Sequence, residues 1–173
     1  MARRQKPKPN DAIRRLLVEL EQAYRRPAWH GTNLRGSLRG LTPEQALWRP
    51  GPARHNIWEE TLHAAYWKYA VRQRLVVGKS GGFPLKGRNW FPSPSGLTGA
   101  AAQKEWKQTV ALLDREHNAL CAVVEECPVA RLERPVLRSR WSVFDSILGA
   151  AFHDIYHAGQ IQLLKRLQET AAA

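Results

Sequence analysis

The stretch SVFDSILGAAFHDIYHAGQIQLLKRLQ, residues 142 to 168, decides the fold expected for this chain. Its apolar residues recur every three or four positions, which is the period of one face of an α-helix. The expected core stripe consists of Val143, Phe144, Ile147, Leu148, Ala151 and Ile155. The pattern therefore predicts a long helix, from about Ser142 to Gln168, that buries one face against other elements.

Three earlier segments show the same period and indicate partners for this helix. They cover about residues 10–24, 56–78 and 98–128. Asn10 and Asn56 are typical N-cap residues, Gly78 is a typical end and Pro128 stops the third segment. Because no segment alternates like a strand, four long amphipathic helices predict an all-α four-helix bundle.

The connections between these helices are unequal in length. Residues 25–55 are interrupted by Pro and Gly, although TPEQAL, residues 42–47, has the cap and N-terminal Pro of a short helical turn. Residues 79–97 show no period, and loops of that length are crossovers or lids over sites. This second connection can run the length of the bundle, and we expect Trp90 or Phe91 to cover the bundle or its site.

Length and composition favour one globular domain. We expect residues 1–9 to form a disordered basic arm and residues 10–173 to form a single bundle domain. No apolar run is long enough for a membrane span, and no signal peptide is recognised, so a cytoplasmic protein is expected. Cys121 and Cys127 point to different sides of one helix and are expected to be reduced thiols.

The net charge is +12, from 27 Lys and Arg against 15 Asp and Glu. Such a charge suits a polyanionic partner, so weak nucleic-acid binding through a basic surface is an alternative function. The cations are nevertheless spread along the chain, and no known nucleic-acid motif accompanies them.

Two histidines, His153 and His157, stand four apart in the last helix. This spacing puts both imidazoles on one face, where they can reach one metal ion. The small residues Ser146, Gly149 and Ala150 leave room beside them. Histidine pairs at this spacing also occur by chance, so the pair alone does not decide the question.

A third histidine, His63, lies two turns into the second helix, and a bundle can bring that face against the last helix. Three imidazoles from two helices leave coordination positions open, as in catalytic metal sites. His63 is therefore a candidate third ligand beside His153 and His157.

These residues resemble the DinB/YfiT family of four-helix-bundle metalloenzymes. Two stretches carry the resemblance: LTPEQALWRPGPARHNIWEETLHAAYW, residues 41–67, and HDIYHAGQIQLLKRL, residues 153–167. It extends from about Trp29 to Leu167 and implies a bundle with a long second connection. It also implies that the family's metal ligands are His63, His153 and His157.

The resemblance further implies a zinc, nickel or iron ion and a small-molecule substrate, for which a low-molecular-weight thiol is a candidate. A thiol-dependent S-transferase or a hydrolase-like enzyme would follow, with the ion as Lewis acid. The family name records induction by DNA damage. The competing class is a non-enzymatic protein that binds nucleic acid or holds a structural metal, and a homodimer remains open.

Other polar residues have two interpretations each. The candidates for catalytic or orienting roles are Glu59, Glu60, His30, His55 and Gln160. The alternatives are ordinary solvated side chains for the loop histidines and exposed carboxylates in the first turn of a helix. His117 is expected to be a core histidine, and Asp154 is expected to form a surface ion pair.

Overall fold

The structure, a computed structural model, describes residues 11–76, 81–136 and 139–171. The predicted basic arm, residues 1–9, lies outside these ranges. The helices are α1 (Asp11–Tyr24), α2 (Leu34–Ser37), α3 (Pro43–Leu47), α4 (Ile57–Leu75), α5 (Gly99–Glu125) and α6 (Val143–Ala171), with a 3₁₀ turn at Val129–Arg131. The described residues contain no strand, so the chain is all-α as predicted. Within the same ranges, no helix is both long enough and apolar enough to cross a membrane.

Polar side chains satisfy free backbone N–H groups at the start of α3, α4 and α6. Asn56 accepts a hydrogen bond from the N–H of Glu59 at 2.9 Å and caps α4. Thr42, the predicted cap of α3, forms a capping box with Gln45. Ser142 and Asp145 exchange hydrogen bonds in the same way at the start of α6.

Each of the four long helices, α1, α4, α5 and α6, packs on two of the others. α1 and α4 lie on opposite corners, and both contact α5 and α6. Glu21 meets His117 while Tyr24 meets Asp114, so α1 and α5 are antiparallel.

α4 and α5 run in the same direction, because Trp58 faces Trp106 and Lys68 faces His117. Parallel neighbours need a connection that returns along the whole bundle, and α4 alone is about 28 Å long. Residues 81–98, the described part of the second connection, belong to that return, in agreement with the long second connection expected from the sequence.

The apolar core forms two clusters. One surrounds Trp58, Leu62 and Trp106 and includes side chains from α2 and α3. The other surrounds Leu16, Leu120 and Ile147. Between them lies a layer of buried polar side chains from the four long helices, which includes the three predicted metal ligands. We call it the polar layer; its members are Tyr24, His63, Lys68, Glu116, His117, Asp154 and His157, with the half-buried Glu21 and His153 at its edge.

Candidate metal centre

Three imidazoles converge between α4 and α6. His63 projects from α4, and His153 and His157 project from successive turns of α6. Each offers one ring nitrogen to a common point, and these three atoms lie within 4.8 Å of one another. His63 and His157 are buried, and His153 is half-buried. The imidazole group is therefore accessible to solvent on the side where His153 lies.

A carboxylate fixes the orientation of His157. Glu60 Oε2 lies 2.5 Å from His157 Nδ1, in a buried contact between α4 and α6. An ionised carboxylate only accepts hydrogen bonds, so Nδ1 carries the proton and Nε2 presents its lone pair to the centre. His157 Nε2 is 3.0 Å from His153 Nε2. Gln160, with its amide nitrogen turned toward Glu60, donates to Oε2 at 2.9 Å and accepts from the Tyr156 hydroxyl.

A backbone carbonyl fixes His63. Its Nδ1 lies 2.9 Å from the carbonyl oxygen of Asn89, so Nδ1 donates and Nε2 is left free. Asn89 has a left-handed backbone (φ 68°), which asparagine tolerates better than most residues. Its side-chain oxygen also accepts from Trp67 Nε1 at 2.9 Å. The second connection is thereby bonded to α4 directly beside the imidazole group.

The aromatic residues of this connection cover the site. Trp90 stacks on His63 with ring centroids 3.8 Å apart and on His55 at 3.6 Å. Phe91 is buried and packs against Tyr66 and Phe83. Residues 89–91 therefore form a lid over one side of the imidazole group, as the two rings in an otherwise polar loop suggested.

Burial makes these imidazoles hard to protonate. Burial is the main cause that lowers the pKa of His63 to about 4, and the neighbouring His157 and His55 add to it. Burial also lowers the pKa of His153 to about 3, with help from His157, His63 and Lys68. Near neutral pH these two rings are neutral, and neutral imidazole is the form that binds metal.

The donor set suits a divalent ion. Three imidazoles whose ring nitrogens lie within 4.8 Å of one another match the ligands that zinc, nickel and iron accept. Glu60 and the Asn89 carbonyl occupy the opposite nitrogens of two rings, which is the usual support of a metal-ligating histidine. The group could therefore hold one divalent ion, and the three nitrogens would leave part of its coordination sphere open.

The other residues predicted to have catalytic or orienting roles differ in whether they contact the three imidazoles. Glu59 is buried, not exposed, and its oxygens face Arg49, His55 and the N–H of Ser93 and do not contact the imidazoles of the triad. His55 is exposed and stacks on Trp90, the ring that covers His63. His30 is exposed and lines a different cavity, beside Gly159. Glu60 and Gln160 thus touch the triad, whereas Glu59 and His30 do not.

A second group, Glu21, His117 and Cys121, also brings three metal-binding atom types within 4.8 Å. The Lys68 ammonium lies 3.3 Å from His117 Nδ1 and can only donate, so Nε2 carries the proton and donates to Glu21 at 3.2 Å. Burial raises the pKa of the Cys121 thiol to about 11, and the charge of Glu21 adds to it. His117 thus uses both nitrogens in hydrogen bonds, as expected of a core histidine.

The expectation for Asp154 was wrong in one respect. Asp154 does form an ion pair, but with Lys68 in the bundle interior, where both side chains are about 1% exposed. The position lies in the middle of the buried stripe of α6, one residue after His153. Neither Lys68 nor the supporting residues Asn89 and Arg49 were singled out from sequence. A lysine and an aspartate at core positions of two neighbouring helices were the available signal for the pair.

Comparison with known proteins agrees with the fold. No curated protein and no solved structure matches the chain significantly. The sequence model of the DinB superfamily matches residues 28–161, which include α2 to α5 and α6 through Ile161, with all three histidines. This match covers more than half of the chain, and the chain therefore belongs to the DinB superfamily.

Proposed function

We propose that this protein is a divalent-metal-dependent enzyme whose centre is formed by His63, His153 and His157. The supporting observation is that three imidazoles bring one ring nitrogen each within 4.8 Å of the others and that His153 also lines a cavity of about 390 Å³. A purely structural site would be closed by four protein ligands. Here a ligand from solution can approach from the cavity.

When bound, a divalent ion supplies Lewis acidity, which lowers the pKa of a thiol or water bound to it. The protein's own residues orient the three imidazoles for metal binding. Glu60 and the Asn89 carbonyl hold the rings of His157 and His63 in one tautomer, and Trp90 keeps solvent from one face of His63. We propose group transfer from a low-molecular-weight thiol, or hydrolysis, as the reaction class.

Metal content and activity test this proposal. Protein purified without an affinity tag should hold about one zinc, nickel or iron ion per chain, and His157→Ala should lose most of it. His117→Ala is the matched control, because it also removes a buried helical imidazole; it should keep the metal but unfold at a lower temperature. The metal-loaded protein should then be assayed for transfer of small thiols to electrophiles and for hydrolysis.

Two results would contradict the proposal. The first is a wild-type protein that takes up no stoichiometric ion after reconstitution. The second is metal loss in His117→Ala with full retention in His157→Ala, which would move the ion to the other cluster.

A further inference from the structure

The cavity beside His153 has walls that are not explained by metal binding. It measures about 390 Å³, within the range of small-molecule sites. Its apolar walls come from Trp67, Leu148 and Phe152 on α4 and α6 and from Trp141 just before α6. Trp67 also borders the imidazole group, since its ring centroid lies 6.0 Å from that of His153. A molecule in this cavity would therefore have one end at the candidate metal centre.

Two of these walls are exposed aromatic rings. Trp141 is 53% exposed and Phe152 is 59% exposed, although both stand at the cavity. Large flat apolar side chains left open beside a cavity favour a planar apolar ligand, because stacking on them removes water from both surfaces. The floor is open where Gly149 lies, since a Cβ placed there would have no atom within 4 Å.

The charged groups near the walls favour an anion. The Arg74 guanidinium lies over Trp67 at 5.6 Å, and that of Arg140 lies over Trp141 at 4.8 Å. Neither Arg74 nor Arg140 is among the residues that form ion pairs with carboxylates in the described part of the chain. The carboxylate that lines the cavity, Asp145, is engaged by Ser142 in the cap of α6. Among the described residues, Arg74 on the cavity wall and Arg140 over Trp141 thus have no carboxylate at ion-pair distance, and Asp145 shares the lining with Arg74.

We propose that this cavity binds a planar aromatic carboxylate, with its ring between the aromatic walls and its carboxylate toward Arg74 and Arg140. The inference rests on the proposed function, because it places the reactive end of such a substrate at His153. It adds the substrate class, which the three histidines do not define.

A glycine substitution tests the cavity itself. Gly149→Leu should fill it without strain, since the added side chain meets open space on a helix that prefers leucine to glycine. Gly159→Leu is the matched control, because Gly159 lies on α6 in equally open space but lines a different cavity. Binding of 1-naphthylacetate to the metal-loaded protein is measured by titration calorimetry. We expect binding in wild type and Gly159→Leu and at least tenfold weaker binding in Gly149→Leu.

Replacement of the two arginines tests whether they bind the carboxylate of the ligand. The double variant Arg74→Gln/Arg140→Gln should weaken 1-naphthylacetate about five- to tenfold and leave its neutral analogue 2-(1-naphthyl)ethanol unchanged. Arg39→Gln/Arg166→Gln removes the same net charge from exposed positions elsewhere and should leave both ligands unchanged. A repeat with metal-free protein should show the same charge effect, because the carboxylate is assigned to the arginines and not to the ion.

Several results would overturn the inference. These are absence of binding in wild type, equal affinity in Gly149→Leu, or equal weakening of the neutral analogue in the double arginine variant. A carboxylate effect that disappears with the metal would also overturn it. Metal content is measured on every sample, so a failure of the metal centre is seen separately from a failure of the cavity.

Discussion

At the scale of single residues, Glu59 and Glu60 show how neighbours on one helix acquire different roles. Both are 5% exposed in the first turn of α4. Glu60 points toward α6 and holds His157, whereas Glu59 points toward the residues that precede and cover α4. Their side chains diverge because adjacent helical residues point about 100° apart.

Glu60→Gln should weaken metal binding by about 10- to 100-fold, because the neutral amide holds the Nδ1 proton of His157 less strongly. The dissociation constant is measured by competition with a chelator of known affinity. Glu59→Gln is the control, and its metal affinity should stay within about twofold of wild type, since Glu59 does not touch the triad. Equal losses in both variants would show that general destabilisation, not the contact with His157, causes the effect.

At the scale of elements, Glu59 joins the start of α4 to two irregular segments. It accepts hydrogen bonds from Arg49 before the helix and from the backbone of Ser93 in the second connection. Asn56, the cap of α4, also donates to Ser93 Oγ at 2.9 Å. The lid of residues 89–91 is therefore held at both ends, by Asn89 on His63 and by Ser93 on the first turn of α4.

The pH dependence of the unfolding free energy should show how much the Glu59 carboxylate stabilises this junction. Burial by itself would raise the pKa of Glu59, but hydrogen bonds from Arg49, His55 and Ser93 outweigh it and lower the pKa from 4.5 to about 2. A lowered pKa stabilises the fold above about pH 4.5, and the stabilisation is lost as the pH falls toward 2. We expect Glu59→Gln to cost about 2–3 kcal/mol of unfolding free energy at pH 6 and progressively less below pH 4.5.

Urea unfolding of wild type and Glu59→Gln between pH 6 and the lowest pH at which both fold measures this difference. Metal effects cancel if both proteins are measured with chelator. A difference that stays constant over the range would mean that the carboxylate charge does not stabilise the junction.

At the scale of the whole molecule, the polar layer links all four long helices. Lys68 of α4 contacts Asp154 of α6 and His117 of α5, and its ammonium lies 4.7 Å from the ring centroid of Tyr24 of α1. Asp154 Oδ1 has no hydrogen-bond partner within the described ranges. Such a layer is costly to desolvate, and a shift of one helix along another would separate its charges.

Lys68→Met should lower the unfolding free energy by about 3–5 kcal/mol, because it leaves the Asp154 carboxylate buried without its cation. The double variant Lys68→Met/Asp154→Leu should recover most of this loss, but not all, since His117 Nδ1 still lacks its donor. Chemical denaturation measures both. Lys104→Met, at an exposed position of α5, should change stability by less than about 0.5 kcal/mol. A double variant no more stable than Lys68→Met would disprove the pairing argument.

The sequence predicted the long helices because their periods are regular, and it predicted the caps at Thr42 and Asn56 because few residue types cap well. It did not predict α2, whose four residues are too short to show a period. The shared face of His153 and His157 followed from helix geometry, and the resemblance to the family identified His63 as the third ligand. The hydrogen-bond partners that orient the imidazoles could not be predicted in this way. The Asn89 carbonyl, for example, belongs to an irregular loop, and residue type does not determine the direction of the backbone there.

Asp154 and Lys68 were overlooked for another reason. Charged residues are almost never fully buried unless paired, so each looked like a surface residue when considered alone. Only their joint position on the buried stripes of α4 and α6 indicates an internal pair.

The contact between Glu60 and His157 joins residues 97 positions apart, so it also constrains the order of folding. Closing so long a chain segment is entropically unfavourable until α4, α5 and α6 have packed. The isolated α6 carries two imidazoles, but neither the third imidazole nor the carboxylate support exists before docking. An ion at this centre would consequently join a finished fold and could be loaded, exchanged or withheld without rebuilding the protein.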